Sequence, residues 1–180
     1  FDNRYLAVAD QELINLAAGY PNVELLKRDV ASIAPGVNEA SVSFAHYLKI
    51  PTQYIFILNP CQPLLSVNAV RAAYNYFQET NYDSYTSACT TRDWIFDKDG
   101  NCLTRKDPKN YSTNTGELFY KAAHSFHIVE KSFFKENGYH WTFSKNDPHL
   151  IETDPLQIVD VDSEKDFQYA EYLYRKVSAE

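Results

Sequence analysis

The chain reads as an α/β domain built on a mostly parallel sheet, and three observations predict that class. Up to Cys89, β-prone runs alternate with helix-patterned segments in the order β-α-β-α-β-α-β, joined by short connections. That order implies parallel strands with right-handed crossovers. Tyr54-Ile-Phe-Ile-Leu58 is apolar without a break, as expected of a central parallel strand covered on both faces. Near the end, Ser163 with Asp166 three residues on forms a capping-box-like start to a closing helix.

The elements follow in order. Arg4 to Ala9 is a short β-prone run, and Asp10 is a good N-cap for a helix carrying Leu13, Ile14, Leu16 and Ala17 at helical spacing. Gly19 and Pro21 stop it, and Val23 to Leu26 reads as a second strand. After Pro35-Gly36, Asn38 caps a predicted helix through Lys49. Beyond Tyr54–Leu58, Ser66 caps a helix to about Glu79, and Asp83 to Cys89 is strand-like. Trp94-Ile-Phe96 and Cys102-Leu103 flank Asp97-Lys-Asp-Gly-Asn101, a hairpin turn with Gly where positive φ is needed. Residues 105 to 117 are polar and aperiodic, which reads as an exposed arm. Ser125 to Val129 returns to strand, Lys131 to Asn137 is a short helix, and Gln157 to Val161 reads as the last strand.

Composition narrows the function classes. The 180 residues are 44% hydrophobic and 23% charged, enough apolar side chain for a packed core. Lys plus Arg is 17 against 24 Asp plus Glu, a net charge of −7. Such a chain lacks the basic clusters that neutralise nucleic-acid phosphates. No apolar run approaches the roughly 20 residues that span a bilayer, and no basic-then-apolar leader is present. Cys61, Cys89 and Cys102 cannot all pair and have no CxxC spacing, so the reading is a reducing, cytoplasmic compartment. There is no GxSxG and no GxGxxG, which disfavours hydrolase and dehydrogenase readings.

In open α/β sheets, ligands sit beyond the carboxyl ends of the strands. Three polar clusters are predicted there: Asp10, Asn59 to Gln62, and Asp160 with Asp162. Asp160 and Asp162 are two apart on an extended segment, so both carboxylates can face one way and suit Mg²⁺ shared with substrate phosphates. The structural alternative is that Asp162 caps the final helix while Asp160 is solvated. Cys61 reads as a packed thiol, since no His or acid is adjacent to activate it. The five histidines lack metal-ligand spacing, although His124 and His127 share a strand region. Tyr139 to Trp141 could line a sugar pocket.

Five short motifs, in order, resemble the sugar-acid cytidylyltransferases, the CMP-sialic acid synthetase group. Leu6-Ala-Val-Ala-Asp10 resembles the family strand ending in Ser-Thr-Asp, and Leu25-Leu-Lys-Arg28 the stretch ending in Arg-Pro. Leu58-Asn-Pro-Cys-Gln-Pro-Leu-Leu65 resembles Leu-Gln-Pro-Thr-Ser-Pro-Leu-Arg, and Asp83 to Cys89 the strand written Ser-Val-Val-Ser-Ala. Asp160-Val-Asp162-Ser, with its acidic helix start and Ala170-Glu171, resembles Asp-Ile-Asp-Thr and the Ala-Glu that follows it.

The resemblance implies a three-layer Rossmann-like fold of the nucleotide-diphospho-sugar transferase kind over residues 1–180, with a small antiparallel arm at 90–121. It implies transfer of CMP from CTP to a sugar acid or related acidic acceptor, with release of pyrophosphate. Asp160 and Asp162 would hold Mg²⁺, and Arg28 and Asp10 would lie near the nucleotide. Asn59 would replace a Gln that contacts the sugar, with Gln62 beside it. The arm would pack a homodimer. Leu65 departs from the motif's Arg, and Ala123-His124-Ser125 stands where the family has Asn-Gly-Ala. The family's leading strand and phosphate-wrapping loop find no counterpart in these residues, so the reading expects that segment before Phe1. A non-catalytic homologue acting as a binding or assembly module is the alternative.

Overall fold

The computed structural model describes residues 3–29, 46–105, 107 and 109–177. The helix expected from Asn38 to Lys49 falls largely outside them. The chain forms two compact units, one of residues 1–55 with 129–142, the other of 56–128 with 143–180. Among the described residues no helix is long and apolar enough to cross a membrane.

In the first unit, β1 (Tyr5–Val8) pairs in parallel with β2 (Glu24–Lys27), in the register Tyr5↔Glu24 to Val8↔Lys27. Between them runs α1 (Gln11–Ala17), capped as expected by Asp10. Arg28 N–H donates to Val8 O at 2.8 Å, extending the pair by one rung. α3 (Lys131–Asn137) matches its predicted span and ends at Gly138, whose φ of 71° makes the left-handed cap that residues with a Cβ resist. Its fully buried Phe134 meets Tyr47 and His140 edge-on. Lys131 Nζ donates to Leu48 O and Ile50 O.

The second unit holds α2 (Val67–Glu79), capped by Ser66 Oγ, and α4 (Glu164–Val177). The four-stranded sheet has the order β3 (Tyr54–Leu58), β5 (Phe119–Glu130), β4 (Ser84–Thr91), β6 (His149–Glu152). β4 and β6 pair in parallel, Tyr85↔His149 to Ala88↔Glu152. β3 and β5 are antiparallel, because Lys131 N–H bonds Gln53 O while Asn59 N–H bonds Ser125 O, so numbering rises on one strand as it falls on the other. The apolar run 54–58 is therefore the first strand of this sheet, not a central parallel one. Its burial is correspondingly partial, with only Ile55 buried.

Two further expectations are corrected. Gln157 to Val161 is not a strand. Pro155 starts a 3₁₀ turn, Pro155–Ile158, and the Asp154 carboxylate caps Leu156 N–H, which closes the backbone on itself before it can reach a partner. The last strand is β6, which the sequence reading missed. It is four residues long and alternates half-buried with exposed, too brief for a periodic signal.

The core of this unit is Ala73, Tyr85, Phe126 and Ile128, with Phe56, Phe77 and Ile151 packed on it. Tyr85 places its ring edge-on to Phe77 and its hydroxyl on Tyr82 N–H and Thr80 Oγ1. The hairpin at Asp97–Asn101 forms as predicted, with a Phe96↔Cys102 bridge and Gly100 at φ 86°. Arg105 lies over the Trp94 and Tyr111 rings, at 5.8 and 4.7 Å from their centroids. Phe126 is 1% exposed and packs tilted against Phe56, with ring centroids 5.4 Å apart. Phe126→Ala is expected to cost about 3–5 kcal/mol of unfolding free energy in urea titration, and a loss below about 1 kcal/mol would contradict this core.

Candidate functional site

At the carboxyl end of β3 the chain turns through Asn59-Pro-Cys-Gln62, and this loop is the hub of the site. Asn59 Oδ1 accepts from Cys61 N–H at 2.9 Å, an Asx turn that lets the segment leave the sheet beside Pro60. Two other segments of the same unit converge on it. From β5, Ser125 O accepts from Asn59 N–H at 2.9 Å, and Ala123 O accepts from Gln62 Nε2 at 2.8 Å. From 157–161, Gln157 Oε1 accepts from Ser66 N–H at 2.9 Å, Val161 N–H donates to Cys61 O at 2.9 Å, and Asp160 Oδ1 lies 3.4 Å from Asn59 Nδ2.

Two of the three clusters expected at the strand ends are thus brought together, across 101 residues of sequence. Asp160 and Asp162 are both exposed. The structural alternative for Asp162 does not hold, because Ser163 caps α4. Its hydroxyl donates to Asp166 Oδ2 at 2.6 Å, and it faces Asp166 N–H at 3.4 Å. Asp162 is left with its carboxylate exposed, two residues along the chain from Asp160.

The remaining site residues fall differently. Both ends of the Asn59 amide are engaged by protein, so Asn59 orients Asp160 and does not present a bare amide to a sugar. Gln62 is 4% exposed and bonded to Ala123 O, so it supports the β5 backbone from beneath and does not open to the surface. Its Oε1, like Ser125 Oγ, is buried without a hydrogen-bond partner. Asp10 and Arg28 belong to the other unit. There they share one end of the β1–β2 pair, with Asp10 Oδ1 accepting from Glu12 and Leu13 N–H groups. Cys61 is exposed, contrary to the packed thiol expected, and the buried cysteine is Cys89. Leu65 is half-buried in the turn, its N–H on Gln62 O.

Sequence reasoning missed one feature of this site. His124 has φ 55° in the middle of β5, and its ring lies 5.5 Å from that of His127. No Gly or Asn marks the position, so nothing local announces the left-handed backbone.

The donor set fits Mg²⁺. Two exposed carboxylates are hard oxygen donors, one of them oriented by an amide, and Mg²⁺ is commonly held by one or two carboxylates together with substrate phosphates. Among the described residues, no cluster of three or more His, Cys, Asp or Glu forms an all-protein cage.

Comparison with known proteins bears on the fold. No protein-family model matches the chain, and no curated protein matches it by sequence. Solved structures do. The 4-diphosphocytidyl-2C-methyl-D-erythritol synthase of Anaerococcus prevotii superposes with a TM-score of 0.68 at 10% identity, over 97% of this chain and 79% of that one. The 2-C-methyl-D-erythritol 4-phosphate cytidylyltransferase of Francisella tularensis gives 0.62 at 11% identity, over 96% and 81%. HddC of Yersinia pseudotuberculosis gives 0.54 at 10% identity, over 94% and 76%, in a complex with GMP-PN. The chain has the Rossmann-like α/β fold of these proteins. The first two are cytidylyltransferases of methylerythritol type, not the sugar-acid group to which the motifs are similar.

The α4 cap yields a pH prediction. Asp166 is held below its ordinary value of 3.8, first by the Ser163 hydroxyl and then by backbone N–H groups. A carboxylate with a lowered folded pKa contributes its full stability above the unfolded value and loses it as the pH falls through the folded one. Asp166→Asn is therefore expected to lower the urea midpoint at pH 7, with the gap to wild type closing below pH 3.8. A gap that persists undiminished at lower pH would contradict the cap.

Proposed function

We propose that this protein is a CTP-dependent nucleotidyltransferase that joins CMP to an acidic sugar or related small-molecule acceptor, releasing pyrophosphate. The observation that carries the reading is the contact between Asn59 and Asp160, which ties the exposed Asp160 to the loop at the carboxyl end of β3, with the exposed Asp162 two residues on. The shared fold with solved cytidylyltransferases supports it, as do the five motifs. In the reaction an acceptor hydroxyl oxygen attacks the α-phosphorus, a new P–O bond forms, the bond to the bridging oxygen breaks, and pyrophosphate leaves.

The chain's own residues then have these roles. Asp160 and Asp162 hold Mg²⁺, which when bound neutralises charge on the phosphates and leaving group. Asn59 fixes the rotamer of Asp160, so one metal ligand is already placed before the nucleotide arrives. Arg28 and Asp10 are the nucleotide-side residues implied by the motifs. A binding role without catalysis is the second reading, and Leu65 favours it, since an apolar side chain replaces the cation that closes the resembling motif.

The Asp162 side chain is exposed, and its backbone N–H, which bonds the Asp166 carboxylate, survives truncation, so Asp162→Ala should keep the thermal midpoint of the wild type. Its CTP-dependent pyrophosphate release should fall at least about a hundredfold, since a lost metal ligand removes several kcal/mol of charge stabilisation. Unaltered release from the folded variant would refute the metal assignment.

We further propose a homodimer through the arm at 90–121. Phe96, Leu103 and Tyr111 are exposed there, as is part of Trp94, so the segment leaves apolar area uncovered. Light scattering at micromolar concentration should give twice the monomer mass, with at least about 1,200 Å² buried in total. A monomer mass for the intact protein would end the proposal.

A further inference from the structure

His124 lies in the left-handed region, at φ 55°, inside a twelve-residue strand. For a residue with a Cβ this backbone is strained, and it persists only where the surroundings dictate it. Here four hydrogen bonds do so. Ala123 O is held by Gln62 Nε2 and Ser125 O by Asn59 N–H, one on each side of His124. Ser87 Oγ accepts from both Ser125 N–H, at 2.7 Å, and Phe126 N–H, at 3.3 Å. The consequence is an exposed imidazole next to a buried Ser125 and Phe126. Behind it stands the His127 ring, whose Nδ1 is 2.9 Å from Thr86 Oγ1. The Asn59 that tethers Ser125 also holds Asp160, so the strand position next to His124 and the Asp160 carboxylate are tied to the same loop at the carboxyl end of β3.

We propose that His124 is a specificity-determining residue that donates an imidazole N–H to the anionic group of the acceptor, a carboxylate or a phosphate, and that Gln62 is the positioning residue that keeps it there. The inference rests on the nucleotidyl-transfer reading. An imidazole supplies a directional donor to anionic oxygen without adding an obligatory charge beside the metal carboxylates. The buried Gln62 acts through Ala123 O, which accepts from its Nε2.

The backbone supplies a clean test, since glycine is at ease at this φ and His124→Gly removes the ring without stressing the fold. Imidazole NMR of the intact wild type at constant pH is followed during titration with inorganic phosphate, and in a second arm with acetate. The His124 resonance is expected to move saturably in at least one arm, which identifies the anionic group. His124→Gly should bind that anion at least tenfold more weakly with an unchanged or higher thermal midpoint. His124→Asn, which tolerates the left-handed backbone and keeps an N–H donor, should recover part of the loss. Gln62→Met, confirmed folded by its thermal midpoint, should shift the free His124 resonance and weaken binding. The proposal is overturned if neither anion moves His124, or if the glycine variant binds as the wild type does. CTP-dependent pyrophosphate release is scored separately: its absence from the wild type defeats the transfer reading, whereas anion binding at His124 is judged without CTP.

Discussion

The antiparallel pairing of β3 with β5 is the constraint on which the rest of the site depends. Its final rung, Asn59 N–H to Ser125 O, fixes where the 59–66 loop leaves the sheet. Beneath it Phe56 and Phe126, one from each strand, pack at 5.4 Å in the core, so the rung is anchored by apolar burial and not by hydrogen bonding alone. From that fixed exit, side-chain and backbone bonds reach 123–125 on one side and 157–161 on the other. A site assembled from three segments distant in sequence needs such a common reference, because a catalytic group displaced by about 1 Å loses much of its effect.

The electrostatics of the site follow from what the loop does not supply. Asn59 offers Asp160 a neutral amide, not a cation, and α4 takes its cap from Ser163, so two carboxylates stay exposed in a chain already at −7. Under the proposed metal role, two exposed carboxylates of this kind would take up a cation that shares the phosphates of a nucleotide.

Much of this was legible in the sequence where the cause is local. Asp10, Ser66 and Ser163 announce their helices because an N-cap acts within three residues, and the Asp97–Asn101 turn announces itself through Gly100. Asn59 does meet Asp160, as their grouping in the sequence expected, but not through the strand-end rule, since 157–161 is no strand and Asp10 lies in the other unit. Their roles were not legible, since only the fold shows that the Asn59 amide is engaged at both ends and that Gln62 is buried. Non-local pairings were the failures. β6 owes its existence to β4, more than sixty residues earlier, whereas Gln157 to Val161 has strand composition but is turned by Asp154 and Pro155. The left-handed backbone of His124 was invisible because it is imposed by Gln62, Asn59 and Ser87 and not by its own side chain.

Transfer of a nucleotidyl group is the central claim, and labelling the transferred atom tests it most directly. The intact protein is mixed with CTP carrying ³²P at the α-phosphorus, MgCl₂ and a panel of sugar acids and sugar phosphates. The account predicts that label moves into a nucleotide–acceptor conjugate while unlabelled pyrophosphate accumulates. Label that stays in CTP with every acceptor, from protein that is folded and binds Mg²⁺–CTP, would contradict it.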